Sequence, residues 1–162
     1  MDARHELLDA LLDDARQSSA DLARQLGMDE AEVDALIDDF ESEGVVRGYQ
    51  AVVDWREVEG EHVQAELELN VELDRETGYR DIAGRIAQHP EVRSLRLVSG
   101  DYDFAVDLEA DSLDAINQFV SERIAPIPEV TQTVTHFVMD VYKERGITFD
   151  RDRDDDRLSI SP

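Results

Sequence analysis

His62–Leu73 reads HVQAELELNVEL. Val63, Ala65, Leu67, Leu69, Val71 and Leu73 alternate with mostly polar residues, the period-two pattern of a strand with one buried face. Beyond it, GYRDIAGRIAQH (78–89) gathers Tyr79, Ile82, Ala83 and Ile86 on one side of a helix. VRSLRLV (92–98) and YDFAVDLEA (102–110) read as strands on either side of the turn SGD. Ser112 is placed to cap a helix with Leu113, Ile116, Phe119, Val120 and Ile124 inward, closed by Pro126 and Pro128. Val130–Tyr142, VTQTVTHFVMDVY, reads as one long last strand. The order β-α-β-β-α-β is the split βαβ, or ferredoxin-like, unit.

Upstream the periodicity changes from strand to helix. Leu8, Leu11, Leu12 and Ala15 give a first helix its inner face. Ser18 or Ser19 is the expected N-cap of a short second helix, ADLARQLG, which Gly27 stops. Asp29 and Glu32 form a capping-box-like pair opening a third helix, whose Val33, Leu36, Ile37 and Phe40 share a face and which ends at Gly44. VVRGYQAVV (45–53) reads as a strand or wing with a turn near Gly48. The class is therefore α+β. Residues 1–53 form a winged helix-turn-helix head, 54–60 a linker anchored by Trp55, 61–145 the ferredoxin-like domain and 146–162 an acidic tail. The charged tail reads as disordered; the alternative is that RLSISP, which regains apolar alternation, docks Leu158 and Ile160 on a neighbouring subunit.

The charge is lopsided. Forty Asp and Glu against sixteen Lys and Arg leave a formal charge of −24 in 162 residues, and Lys143 is the single lysine. Such self-repulsion is tolerable where molar salt screens charges beyond ~3 Å, so the composition suggests a salt-rich cytoplasm, that of a halophilic archaeon. There is no cysteine, which excludes disulfides and thiolate metal sites. No signal-peptide pattern opens the chain and no run approaches membrane-spanning length, so a cytoplasmic protein is expected. Of the four histidines, His136 and Asp140 lie four apart, yet two ligands do not make a metal site. No phosphate loop, nucleophile elbow or thiol nucleophile is present, and Asp101 with Asp103 lacks a third catalytic group. An enzyme is not expected, nor a resident cofactor.

A helix-turn-helix running into EGVVRGYQAVVD (43–54), then a βαββαβ unit containing VSGDYDFAVDLEA (98–110), resembles the leucine-responsive regulatory protein/AsnC family of transcriptional regulators over roughly residues 2–145. The resemblance implies a dimer paired through its ferredoxin-like domains, with higher homo-oligomers beyond it. It implies binding to double-stranded DNA through paired heads and an amino acid or similar small effector. The effector is implied against Ser99, Gly100, Asp101, Tyr102 and Asp103, with Thr133 and Thr135 supplying hydroxyls nearby. Independently, Gly100 lets backbone N–H groups approach a carboxylate, and Asp101 or Asp103 can take an ammonium group. Gly and Asp are also ordinary hairpin-turn residues.

The reading helix is the anomaly. Met28–Gly44, MDEAEVDALIDDFESEG, carries eight carboxylates and no Lys or Arg, whereas Lys and Arg contacts to phosphate supply most non-specific DNA affinity. The residues expected to meet DNA are Arg16, Ser19, Arg24, Glu30, Glu32, Asp34 and Arg47. Two readings follow. In one, the head binds DNA in molar salt, with K+ or other cations bridging carboxylate to phosphate. In the other, the chain is an oligomeric amino-acid sensor that no longer touches DNA.

Overall fold

The computed structural model describes residues 2–149. Both readings of the tail, disorder and docking through Leu158 and Ile160, lie outside them. The described residues form two compact units, one of residues 2–53 with Lys143–Thr148, the other of residues 54–142 with Phe149.

In the first unit, α1 (Ala3–Asp13), α2 (Ser19–Leu26) and α3 (Glu30–Ser42) surround a small core. Leu7, Ala10 and Leu11 of α1 bury against Leu22, Val33 and Phe40. The inner face of α1 is thus one residue earlier than the sequence suggested: Leu12 is 80% exposed and Ala15 lies outside the helix. Ser18 is the N-cap of α2, accepting from Asp21 N–H at 3.1 Å, and Gly27 ends α2 with φ of 69°. At α3 the expected capping box is not made. Asp29 is the N-cap without a side-chain hydrogen bond, and its carbonyl accepts the N–H of Glu32 and Val33. Residues 45–53 hold no strand. Val45 and Val46 both donate to Phe40 O, and Val46 packs on the core, so the segment ties to α3 rather than to a partner strand. A two-residue hairpin, β5 (Lys143–Glu144) with β6 (Ile147–Thr148), also belongs to this unit; Arg145 and Gly146 turn it at positive φ.

The second unit is built on β1 (Val63–Val71), α4 (Tyr79–Ala87), β2 (Val92–Leu97), β3 (Phe104–Ala110), α5 (Leu113–Phe119, continued by a wider turn over Val120–Ile124) and β4 (Val130–Phe137). The sheet runs β2-β3-β1-β4, antiparallel throughout. Alternation does the sorting. Ala65, Leu67 and Leu69 of β1 join Phe104, Val106 and Leu108 of β3 under Ile82, Ile86, Ile116 and Phe119 of the helices. Each of the Val, Leu, Ile and Phe side chains among them, fully buried, contributes roughly 1.5–3 kcal/mol. Leu73, Tyr79 and Leu113 are exposed instead, lying at or beyond the element ends. β4 stops at Phe137, not Tyr142. Phe137 pairs with Ala65 and Val138 N–H reaches Gln64 O, but β1 begins at Val63 and offers no partner farther on.

The other sheet face carries no helix of this unit and is charged. Arg96 meets Asp107 at 3.1 Å, Arg93 meets Glu109 at 3.2 Å and His136 meets Glu68 at 3.3 Å. Glu66 lies in register with Asp107, a like-charged pair. Trp55 stacks on His62 with ring centres 3.8 Å apart, as expected of a linker anchor.

Candidate functional site

In the head, local chemistry decides which arginines remain available. Ser18 Oγ donates to Asp21 at 2.7 Å, and Arg24 is ion-paired to the same carboxylate. Ser18 first, then Arg24, holds the Asp21 carboxyl below the usual range. Ser19 Oγ donates to Asp34, so two of the expected DNA contacts bond to each other across α2 and α3. Arg47 folds back, its Nε donating to Gly44 O at 3.0 Å. Arg16 is exposed and makes no ion pair with a described residue. Arg4, which the sequence reading passed over, lies 4.7 Å from the Phe40 ring centre and 2.6 Å from Glu43 Oε2. Its helix pattern gave no sign of that role, because the partners are far along the chain.

Glu30 and Glu32 are exposed in the first turn of α3. There they oppose the helix's positive end and stabilise it by about 0.3–1 kcal/mol each at low salt. The same placement repels a phosphate from those N–H groups. Asp38, Asp39 and Glu41 are exposed farther along. Tyr49 OH donates to Glu41 at 2.9 Å; burial first, then that carboxylate, pushes the phenol's pKa up.

In the second unit the turn between β2 and β3 is held from three sides. Val98 N–H donates to Asp103 O at 2.9 Å, and Asp103 N–H to Leu69 O at 2.8 Å. The Asp103 carboxylate accepts Val71 N–H at 2.8 Å and lies 3.5 Å from Tyr79 OH. Asn70 Nδ2 donates to Asp101 O at 2.9 Å. Between these anchors Ser99, Gly100 and Asp101 are exposed and Tyr102 is half-buried. Gly100 has φ of 132°, a conformation side chains disfavour.

Asp101 and Asp103 therefore do not act as a matched pair. Asp103 is committed to the fold through both oxygens, Oδ2 accepting from Val71 N–H and Oδ1 from Tyr79 OH, while the Asp101 carboxylate faces solvent. Thr133 and Thr135 pair with Leu69 and Leu67, placing β1 between them and β3, roughly two strand spacings (~10 Å) from Phe104. Thr131 is nearer in bonding terms, donating to Asn70 O at 3.2 Å. Asn70 and Thr131 were missed because alternation marks only buried faces, and Tyr79 was read only as an inner-face helix residue; the register shift at Asn70–Val71 has no sequence signature.

Beside the loop, an open groove of about 600 Å³ runs between α4 and the edge strand β2. Tyr79 stands at its end, edge-on to Phe104 with ring centres 5.9 Å apart. Among the described residues no cluster of three or more His, Asp or Glu is arranged for a metal ion. His136 and Asp140 are engaged with Glu68 and Arg56 respectively. No helix among the described residues is long and apolar enough to cross a membrane.

Comparison with known proteins matches residues 2–47 to a winged helix-turn-helix DNA-binding domain and residues 64–148 to the Lrp/AsnC ligand-binding domain. The chain is 35% identical over 158 residues to the HTH-type transcriptional regulator YugG of Bacillus subtilis, covering 97% of this chain and 95% of that protein. It is 24% identical to the leucine-responsive regulatory protein of Escherichia coli, over 85% of this chain and 84% of that one. Its fold matches that of a Neisseria meningitidis transcriptional regulator in complex with L-Met, with a TM-score of 0.71, 19% identity, and coverage of 89% and 92% of the two chains.

Proposed function

The chain belongs to the Lrp/AsnC family of DNA-binding transcriptional regulators, which are not enzymes, and we propose that it couples effector binding at Ser99–Asp103 to assembly of its DNA-binding heads. The observation that carries this is the loop itself. Asp103 pins one end through Val98, Leu69 and Val71, and Asn70 holds the Asp101 carbonyl, leaving Ser99, Gly100 and the Asp101 carboxylate presented to solvent beside an apolar groove. A preorganised loop of this kind binds a small zwitterion without first having to be ordered. The Neisseria regulator of the same fold holds an amino acid, L-Met, which supports an amino acid here.

Oligomerisation uses the helix-free sheet face. Two copies meeting there bring Glu66, Glu68 and Asp107 together, so assembly needs screening or bound cations. The net charge of −24 supports the same requirement for the whole chain and a salt-rich cytoplasm as its setting. At the head, Arg4, Arg24 and Arg47 are turned to protein acceptors. Contact with DNA then rests on Arg16, on shape, and on K+ or other cations between the α3 carboxylates and phosphates. The same pairing favours a second reading, a sensor that assembles without touching DNA. Effector and DNA affinities are linked, each changing the other by the same factor. Promoter binding by the full chain, measured with and without a mixture of amino acids, tests the coupling. An affinity that no amino acid changes overturns it.

A further inference from the structure

The linker is fastened to the second unit at two points of different chemistry. At the first, Asp54 caps the short turn Trp55–Glu57, accepting Arg56 N–H at 3.2 Å and Arg56 Nε at 2.9 Å. Arg56 then reaches Asp140, past the end of β4, at 3.7 Å. A carboxylate–guanidinium pairing does not change its charges near neutral pH. The second point is the Trp55 ring on the His62 ring, with centres 3.8 Å apart and planes 20° from parallel. Histidine differs there from any other stacking residue, because it can gain a charge near neutral pH.

His62 Nε2 is buried and has no hydrogen-bond partner among the described residues. It faces Glu109 of β3, whose Oε2 lies 3.8 Å away. Arg93 of β2 approaches the same oxygen at 3.2 Å, and Gln64 of β1 donates to the other at 3.1 Å. A neutral imidazole leaves that buried nitrogen unpaired, at a cost. A protonated one presents a cation to the carboxylate and to the indole face, the best aromatic partner for a cation. Burial of the ring and the charge of Arg93 oppose the proton. The Arg93 side chain is 53% exposed, so water screens its repulsion, whereas Glu109 is only 24% exposed and His62 17%. The attractive contacts therefore win. The geometry points to a proton-operated clasp: protonation of His62 tightens the hold on Trp55, and with it on the linker that tethers the head. The hold is firm when the imidazole is charged and loosens as rising pH removes its proton. This holds whether or not the Ser99–Asp103 loop binds an effector.

Trp55 is the single tryptophan of the chain, so its emission reports this stack alone. The amides of Glu57 and Val58 donate to Asp54 O and Trp55 O at 3.1 and 3.3 Å, so their hydrogen exchange, corrected for the intrinsic effect of pH, reports the docked turn. Both are followed on the full chain. From about pH 8 to about pH 5, emission is expected to fall as the charged imidazole quenches the indole. Protection of the two amides is expected to rise about threefold or more. His62→Phe keeps a stacking ring without the proton and should flatten both responses. Glu109→Gln keeps an acceptor for Gln64 and should lose most of the rise in protection. Equal protection of the wild type at both pH values overturns the clasp, with or without a change in emission, and that comparison needs neither variant to fold. A rise in protection that survives in folded His62→Phe overturns it too.

Discussion

The Asp103 carboxylate accepts the backbone N–H of Val71 at 2.8 Å, tying the β2–β3 turn to the bulged end of β1. A residue that resembles a ligand-binding carboxylate is thereby also a structural clamp. Asp103→Ala leaves a half-buried N–H without its acceptor, which costs about 1–3 kcal/mol. Thermal unfolding should register that loss, and amino-acid binding should fall with it. Asp103→Asn keeps an acceptor oxygen and should recover most of the stability but not the affinity for an ammonium group. Equal stability of wild type and Asp103→Ala would contradict the clamp.

Leu7 and Leu12 separate the observed face of α1 from the one expected. Leu7 is fully buried and Leu12 is 80% exposed. Leu7→Ala should destabilise the head by about 2–5 kcal/mol, and Leu12→Ala by no more than about 0.5 kcal/mol. Urea titration of the two variants decides between the faces.

The Glu129 carboxyl is held below its ordinary range, first by a backbone N–H and then by Arg85, which lies 2.8 Å away. A depressed folded-state pKa stabilises the protein above the unfolded value of ~4.3, and the stabilisation is lost as pH falls through the lower folded value. Glu129→Gln should therefore be less stable than wild type at neutral pH, with the gap closing as the pH drops below about 4. A gap that stays constant through that range would contradict the assignment.

Glu66 faces Asp107 across β1 and β3 on the helix-free side of the sheet. If two copies pair through that face, added KCl should tighten the dimer by screening the carboxylates. Glu66→Gln should tighten it most at low salt and little at molar salt. Sedimentation equilibrium across KCl concentrations measures both trends, and a dimer indifferent to salt and to Glu66 would place the interface elsewhere.

Much of this was legible in the chain, and the limits are physical. Period-two alternation over Val63–Val71 and the helical stripe Ile82–Ile86 report burial directly, so the βαββαβ unit could be read from them. Gly27 and Ser18 marked their helix ends because their chemistry is local. The end of β4 at Phe137 was not legible, since it depends on where β1 begins. Nor was the wing, where Val45 and Val46 donate to Phe40 O instead of a partner strand. At the candidate site the Ser99–Asp103 turn was legible, while Asn70 and Tyr79 were not, because each acts through a bond made by the fold. The reading helix shows the same division. Its acidity is plain in the sequence, but the pairing of Arg4 with Glu43 and of Ser19 with Asp34 appears only in three dimensions.

That pairing makes DNA binding by the acidic head the claim to test first. Fluorescence anisotropy would follow the full chain on its own promoter and on a scrambled duplex, from about 0.2 to about 3 M KCl. The account predicts specific binding that persists or strengthens at molar salt, in contrast to the steep loss expected of a head that relies on releasing counterions. Retention of neither duplex at any salt, with the protein folded and oligomeric throughout, would contradict it.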